Sequence, residues 1–325
     1  MEREKMDNAV MGAHQLIEKI IANIEKVIVG KRKAVELAVI ALISQGHLLI
    51  EDAPGVGKTI LARSLAKSIN CTFKRIQFTP DMLPGDITGV TVYNQKTADF
   101  EFRPGPVVAQ IVLADEINRA TPKVQSALLE PMEERQITVD GNTYKMPVPF
   151  HVLATQDPIE YEGLFPLPAA QLDRFLLRIS LGYPSASDEI TIMEKQQYSH
   201  PIEQLSPVAD ASDVIVLQET VKKTYVDDLL KQYIASLVEA TRHHHSIYIG
   251  SSPRGSLALF RTAQARALMQ ERDFVLPDDV KALANSVLSH RLILPSTDGA
   301  QDRSGQTSIA EILETVPVPG ALPGR

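Results

Sequence analysis

The chain has 325 residues, of which 44% are hydrophobic, and this is enough apolar material for two packed domains. The formal net charge of −7 argues against a protein whose whole surface is basic and made to bind duplex DNA. The single cysteine, Cys71, excludes an intrachain disulfide framework and fits a reducing compartment. No apolar stretch approaches the roughly 18 residues of a membrane span, and the first residues lack the layout of a signal peptide. We therefore expect a soluble, cytoplasmic protein.

The chain opens with two predicted helices. Apolar residues recur at helical spacing from Leu16 to Ile28, and Gly30 should end this first helix. The second helix is predicted over residues 31–44, with Gly46 as its C′ glycine.

Five short apolar runs follow, and helical segments separate most of them. These runs are the predicted strands, at residues 48–50, 73–78, 111–114, 151–154 and 176–181. Alternation of strands with helices is typical of a parallel sheet that carries helices on both faces. The sequence therefore predicts an α/β core, with the N-terminal helix, over residues 1–183.

Two insertions interrupt this alternation. Residues 87–107 alternate like a hairpin, and residues 135–147 carry an Asp140–Gly141 turn signal, although both could simply decorate the sheet edge. Beyond the core only helical periodicity is visible, so a second, smaller, all-helical domain is predicted over residues 184–300. Residues 301–325 are interpreted as a polar, loose tail, in which Ile309–Leu313 could form one further helical turn.

The stretch EDAPGVGKT, Glu51–Thr59, is close to the phosphate-binding pattern G-x-x-x-x-G-K-[ST], but Asp52 occupies the first glycine position. The following lysine and threonine have the chemistry that the pattern requires, because Lys58 can reach the β- and γ-phosphates and the Thr59 hydroxyl can bind Mg²⁺. Asp52 lies at the strand end, farthest from the phosphates, where another residue is tolerated. The predicted nucleotide-binding residues of this loop are Asp52, Ala53, Pro54, Gly55, Val56, Gly57, Lys58 and Thr59.

Two later strands end in carboxylates that belong to the same predicted site. Asp115 can hold Mg²⁺ opposite Thr59, usually through water, and Glu116 can orient and polarise an attacking water. Asp157, in the stretch LATQDP, is placed to contact that water. The pair Thr59 and Asp115 is the predicted metal site.

Two arginines are further candidates for the catalytic set. Arg174 lies near a predicted helix end, and Arg254 lies in the first turn of a helix, where it opposes the helix dipole. A phosphate would be a suitable partner for Arg254, and a surface ion pair is the alternative for each arginine.

Five segments together resemble the MoxR family of AAA+ ATPases. They are EDAPGVGKT, DITGVTVYNQKTADFEFRPGPV, LADEINRATPKVQSALLEPMEERQITVDG, LATQDPIEYEGLFPLPAAQLDRFLLR and GSSPRGSLALFRTAQARAL. The resemblance spans roughly Ile28–Leu294 and implies an AAA+ P-loop αβα core with a five-stranded parallel sheet, followed by a helical lid domain. It also implies a homo-oligomer, a hexameric ring, that hydrolyses ATP with Mg²⁺ and remodels client proteins. The usual clients carry von Willebrand factor A domains and belong to enzyme complexes that need maturation or activation.

The resemblance also implies individual roles. Arg174 matches the arginine finger, which reaches the γ-phosphate of the neighbouring protomer, and Arg254 matches the sensor-2 arginine, which acts on the nucleotide of its own chain. Val29 and Gly30 resemble the segment that contacts the adenine. The residues that match the two Walker motifs are Lys58, Thr59, Asp115 and Glu116. The two insertions match elements that face the central pore of the ring.

One position departs from the family. Sensor 1 is usually asparagine, within ATQNP, whereas this chain has Asp157. An ionised aspartate only accepts hydrogen bonds, so it cannot donate to the γ-phosphate and would repel it. Either the aspartate is protonated beside the nucleotide, or hydrolysis is slow.

Two other functions remain as alternatives. The first is a motor that translocates DNA or RNA, which the acidic net charge and the balanced charges of the two insertions argue against. The second is a nucleotide-switched scaffold with weak hydrolysis, which is suggested by Asp157.

Overall fold

The computed structural model describes residues 2–157, 164–295 and 301–319. Its strands, in chain order, are β1 (Leu48–Glu51), β2 (Phe73–Gln77), β3 (Gly89–Asn94), β4 (Asp99–Pro104), β5 (Ile111–Asp115), β6 (Gln136–Val139), β7 (Asn142–Lys145), β8 (His151–Gln156) and β9 (Leu177–Ile179). Its α-helices are α1 (Glu2–Glu25), α2 (Arg32–Ile43), α3 (Lys58–Ser68), α4 (Pro84–Thr88), α5 (Pro122–Gln125), α6 (Leu129–Glu134), α7 (Ala169–Leu172), α8 (Ala186–Lys195), α9 (Ala211–Val221), α10 (Asp228–His243), α11 (Pro253–Met269), α12 (Pro277–Leu288) and α13 (Gln301–Thr315).

The five predicted strands form one parallel sheet, in the order β2-β5-β8-β1-β9. Parallel strands need crossover connections, and helices or longer segments supply them here. All five strands therefore present their carboxyl ends at the same edge of the sheet, which is where polar side chains from different strands meet. The α/β prediction is confirmed.

Both predicted hairpins are present. Strands β3 and β4 pair antiparallel, as do β6 and β7. The second hairpin turns at Asp140 and Gly141, with φ values of 49° and 79°. Two consecutive positive φ angles are the requirement of a type I′ turn, which is the reason that an Asp-Gly pair indicates a hairpin.

Helix α1 ends earlier than predicted. It stops at Glu25, so Val27 and Ile28 are buried in the following turn, not on the helix. After α2 the left-handed residue is Gln45, with φ of 57°, and Gly46 is not the C′ glycine. Gly46 is required for a different reason, because a Cβ there would lie 2.3 Å from the side chain of Leu176.

The expected loose tail is wrong for residues 301–315, which form helix α13. Ile309 and Ile312 lie one helical turn apart and are buried, and Leu313 packs beside them. The helix packs against α10 and α12, and Glu311 forms an ion pair with His244 at 3.1 Å. The exposed polar residues of this segment, among them Gln306, Glu311 and Glu314, occupy the other faces of an amphipathic helix, which is why composition alone suggested a loop.

The sheet separates two apolar clusters. On β1, Leu48 and Ile50 belong to the cluster shared with α1, α2 and α3, whereas Leu49 points to the cluster under the two hairpins. The first cluster continues into α9–α12, so the helical region and the sheet share one core. This shared core fixes the position of the carboxyl edge of the sheet relative to the helical region. No helix of the described residues combines the length and the apolarity that a membrane span requires.

Candidate functional site

The glycine-rich loop connects β1 to α3 at the carboxyl edge of the sheet. Gly55 and Gly57 have φ values of 84° and 100°, which side chains rarely adopt, and Gly57 precedes the first residue of α3. Strand, loop and helix N-terminus therefore follow each other as an anion-binding loop requires, with backbone N–H groups available at the helix start.

Asp52 does not direct its carboxylate at the interior of this loop. Its Oδ2 accepts hydrogen bonds from the N–H groups of Leu181 and Gly182, at 2.6 and 2.7 Å, and from the hydroxyl of Ser180 at 3.0 Å. The residue is only 8% exposed. The side chain that replaces the first glycine thus binds the segment that follows β9. Of Asp52, only the backbone is left to contribute to the predicted nucleotide site.

Lys58 has two partners in its own chain. Its Nζ donates to Oδ1 of Asp157 at 2.7 Å and to the backbone oxygen of Asp52 at 2.5 Å. The structure therefore brings Asp157 to the phosphate-binding loop, as the strand pattern predicted, but as the ion-pair partner of its lysine.

Thr59 and Asp115 lie together, with Thr59 Oγ1 3.3 Å from Oδ2 of Asp115. The second carboxylate oxygen accepts from the hydroxyl of Thr155 at 2.6 Å, and that hydroxyl accepts from the N–H of Glu116 at 2.8 Å. Thr155, which was not among the predicted site residues, therefore orders both carboxylate-bearing residues at the end of β5. An alcohol oxygen beside a buried carboxylate is a suitable pair of ligands for Mg²⁺.

Glu116 is held from two sides. Its Oε2 accepts from the amide of Gln77 at 2.6 Å and forms an ion pair with Arg119 at 3.0 Å. The backbone of Glu116 is left-handed, with φ of 57°, which is uncommon for a residue with a side chain and occurs often at functional sites.

Sequence reasoning missed the two polar residues of β2 that reach this site. Arg75 donates to Oδ2 of Asp115, and Gln77 donates to Glu116. The signal was present in the stretch FKRIQ, where Arg75 and Gln77 lie two residues apart and therefore on one face of the strand. What the sequence could not supply was the strand order, which makes β2 the neighbour of β5.

Arg174 and Arg254 meet at one carboxylate. Glu133 on α6 forms ion pairs with both guanidinium groups, at 2.8 Å to Arg174 and 2.5 Å to Arg254. Within the described ranges, no hydrogen bond or ion pair joins Arg254 to residues 52–59. The structure groups Arg254 with the arginine finger candidate, and its expected role on the nucleotide of its own chain stays a prediction.

Gly30 lines a cavity of about 370 Å³ beside the loop. The cavity wall also includes Glu51, which immediately precedes the loop, and Ser180 on the segment that Asp52 binds. Gly30 has φ of 70°, and a Cβ there would lie 2.3 Å from the carboxylate of Asp188. Val29 is not among the residues that line the cavity, and both Val29 and Gly30 stay predicted adenine contacts.

The arrangement has the chemistry of a nucleotide site. The loop offers a lysine and the backbone N–H groups of a helix start for phosphates, and the Thr59–Asp115 pair offers hard oxygen ligands for a divalent cation. Glu116 follows Asp115 directly, so an acceptor for the proton of a water lies next to the metal pair.

Comparison with known proteins also indicates a nucleotide-binding protein. The family described as the ATPase family associated with various cellular activities (AAA) matches residues 47–177, and the AAA lid domain matches residues 239–312. The chain is 52% identical to the uncharacterised protein YeaC of Bacillus subtilis, across 94% of this chain and 96% of that protein. It is 42% identical to the chaperone MoxR1 of Mycobacterium tuberculosis, across 93% of this chain and 82% of that protein.

A solved structure from Cytophaga hutchinsonii superposes with a TM-score of 0.89 at 37% identity, covering 98% of this chain and 99% of that one. The match therefore includes the αβα core and the helical region together, in one arrangement. With the strand order, the loop geometry and the similarity to MoxR1 in agreement, the chain belongs to the MoxR family of AAA+ ATPases.

Proposed function

We propose that this protein hydrolyses ATP with Mg²⁺ and uses the reaction to remodel partner protein complexes during their maturation or activation. The observation that supports hydrolysis most directly is the convergence of Lys58, Thr59, Asp115 and Glu116 at the carboxyl edge of one sheet. The name of the relative MoxR1, a chaperone, supports the remodelling role.

Each residue has a chemical task in this proposal. Lys58 and the N–H groups at the start of α3 bind the β- and γ-phosphates, and Thr59 and Asp115 hold Mg²⁺, which neutralises developing phosphate charge when bound. Glu116 orients the attacking water and accepts its proton. Gly30 lines the cavity whose wall includes Glu51, the residue before the loop, and we assign that cavity to the adenosine part of the nucleotide.

We further propose that the active form is a homo-oligomeric ring, a hexamer in the family pattern. Arg174 and Arg254 share Glu133, and neither contacts residues 52–59 among the described parts of the chain. The shared carboxylate supports the proposal that both arginines act on the nucleotide of a neighbouring protomer. The client proposed from the resemblance is a protein with a von Willebrand factor A domain, and a cytoplasmic location stays a prediction.

One contact favours a second candidate function. Because Asp157 neutralises Lys58, hydrolysis could be slow enough for the protein to work as a nucleotide-switched scaffold. A DNA- or RNA-translocating motor gains no comparable support. Each of the three functions predicts a different turnover and a different response to added nucleic acid.

The test is ATP binding and turnover measured on the purified full chain. Glu116→Gln should keep ATP binding and stop hydrolysis, and Glu239→Gln, an exposed carboxylate on α10, is the matched control that should change neither. Single-turnover rates separate a working ATPase from a switch, and stimulation by DNA would indicate a nucleic-acid motor. Parent-rate hydrolysis by Glu116→Gln would overturn the role of Glu116.

A further inference from the structure

The residues proposed to act on ATP and Mg²⁺ are paired with opposite charges in this chain. Lys58 contacts Asp157, Asp115 contacts Arg75, and Glu116 contacts Arg119. A magnesium nucleotide that binds through these residues must therefore replace their present ion-pair partners. The pair of Asp115 with Arg75 is the most informative, because the predicted metal ligand is already occupied by a cation.

Arg75 binds the same carboxylate oxygen that faces Thr59. Its Nε and Nη2 lie 2.8 and 2.7 Å from Oδ2 of Asp115, and Thr59 Oγ1 lies 3.3 Å from that oxygen. The other oxygen, Oδ1, is engaged by Thr155 at 2.6 Å. Oδ2 is therefore the oxygen available to a metal ion or to a metal-bound water, and the guanidinium covers it.

The two side chains differ in their freedom to move. Asp115 is 7% exposed and fixed by Thr155, whereas 49% of the Arg75 side chain is exposed. Arg75 lies on β2, the edge strand of the sheet, so its long side chain can leave towards solvent without disturbing the core. The carboxylate stays in place when the cation beside it changes.

We propose that Arg75 is a resident cation on Asp115 that competes with Mg²⁺ for Oδ2, and so sets the Mg²⁺ concentration that nucleotide binding requires. This inference rests on the proposed ATP site. A guanidinium and Mg²⁺ repel each other and need the same oxygen, so each weakens the binding of the other by the same factor. Among the described residues, Arg75 is the cation paired with Asp115, a buried carboxylate that would be destabilising if it were left unpaired.

The experiment measures metal dependence of binding, not turnover. The fluorescent, non-hydrolysable analogue mant-AMP-PNP is bound to the full chain while Mg²⁺ is titrated. In Arg75→Met the guanidinium is lost, and the Mg²⁺ midpoint should fall about tenfold, a coupling of ordinary size between two ligands. Arg75→Lys keeps the charge, so its Mg²⁺ midpoint should fall less than that of Arg75→Met.

Lys74→Met is the matched control. Lys74 is the neighbouring exposed residue on β2 and its side chain points to the opposite side of the strand, so this variant removes the same charge without touching Asp115. Its Mg²⁺ midpoint should equal that of the parent. If Arg75→Met is too unstable to purify, Arg75→Gln replaces it, because a neutral amide can still donate to Oδ2.

A second readout needs no nucleotide. Mg²⁺ alone should raise the melting temperature of Arg75→Met more than that of the parent. An unchanged or raised Mg²⁺ midpoint in Arg75→Met would show that Arg75 does not compete with the metal, and would overturn the inference. Failure of the parent protein to bind mant-AMP-PNP at any Mg²⁺ concentration would instead refute the proposed ATP site, so the two failures are distinguishable.

Discussion

The ammonium of Lys58 lies 2.7 Å from Oδ1 of Asp157, so the lysine of the phosphate-binding loop has an anionic partner within its own chain. Only 8% of each side chain is exposed, and an ion pair with so little solvent around it is screened much less than a surface pair. Asparagine at the sensor-1 position, as the family usually has, would leave the lysine charge free for phosphate. The aspartate therefore opposes ATP binding at its main point charge.

Asp157→Asn should bind ATP about tenfold more tightly, because the phosphates no longer have to displace a carboxylate from Lys58. Hydrolysis should also become faster, since the amide can donate to the γ-phosphate. The dissociation constant and the single-turnover rate, measured with one preparation, test the two effects separately.

Asp157→Ala separates charge from hydrogen bonding. It frees Lys58 but supplies no donor, so affinity should rise as in Asp157→Asn while the hydrolysis rate should not. If neither variant changes the affinity for ATP, the Lys58–Asp157 pair does not compete with the nucleotide.

Arg174→Ala should lower the hydrolysis rate per chain by about 10³-fold, the lower range for an arginine supplied in trans. Arg254→Ala should lower it as well, because both guanidinium groups share Glu133. For both variants, mixing with Lys58→Ala chains should restore activity, because a mixed interface combines an intact loop with intact arginines. The readout is the ATPase rate of mixed rings against their composition.

The mixing experiment also decides whether Arg254 acts on the nucleotide of its own chain or on that of the neighbouring protomer. If Arg254→Ala chains are not rescued by Lys58→Ala chains while Arg174→Ala chains are, Arg254 acts on the nucleotide of its own chain. The grouping at Glu133 would then be a contact that breaks when the ring assembles.

The strands and the phosphate-binding loop were predictable because their signals are local. Short apolar runs set the strands, and the spacing of Gly57, Lys58 and Thr59 sets the loop. The partners of the charged residues were not predictable, because Arg75 meets Asp115 only if β2 lies beside β5 in one register. Strand order is a property of the whole sheet, and no short stretch of the sequence encodes it.

The same distinction explains why the contact of Arg254 with Glu133 was not predicted. Its place in the first turn of α11 was predictable from Pro253 and the helical pattern after it. Its partner depends on how the helical region packs against α6. Ser252, the N-cap of α11, donates to Asp173 at 2.9 Å and so fixes the helix beside the residue that precedes Arg174.

Two stacked histidines at the opposite edge of the sheet make stability depend on pH. His151 is fully buried and donates to the backbone oxygen of Gly46 at 2.7 Å, and burial lowers its pKa to about 4. Desolvation, with Arg135 and His151 nearby, also lowers the pKa of His47 well below its usual value. Both imidazoles are therefore neutral in the folded chain and would be protonated in the unfolded chain below a pH of about 6.5.

The contribution of neutral His151 to the free energy of unfolding is consequently fully present above a pH of about 6.5, and it is lost as the pH falls towards 4. The loss amounts to about 3 kcal/mol, from a difference of roughly 2.5 between the two pKa values. His151→Gln should reduce the slope of the unfolding free energy against pH by about 1.4 kcal/mol per unit within this window. Urea unfolding at several pH values measures the slopes, and parallel curves for the two proteins would contradict the prediction.

Asp52→Gly restores the common phosphate-loop pattern, and we expect it to lower both the free energy of unfolding and the affinity for ATP. Glycine removes the acceptor for the N–H groups of Leu181 and Gly182 and for the Ser180 hydroxyl. Leaving buried donors without a partner costs about 1–3 kcal/mol each, so the unfolding free energy should fall by at least about 2 kcal/mol. ATP should also bind more weakly, because the start of the loop is no longer fixed to the segment after β9.

Asp52→Asn is the matched variant for this change. Its amide keeps one oxygen for the N–H groups of Leu181 and Gly182 but presents an N–H₂ group to the N–H of Ala53, which now donates to Asp52 Oδ1 at 3.1 Å. Stability and ATP affinity should therefore lie between those of the parent and Asp52→Gly, as measured by urea unfolding and by mant-ATP binding. If Asp52→Gly matched the parent in both measurements, the aspartate would be only tolerated at this position. If both quantities instead decrease from the parent through Asp52→Asn to Asp52→Gly, the carboxylate fixes the first position of the loop to the segment after β9.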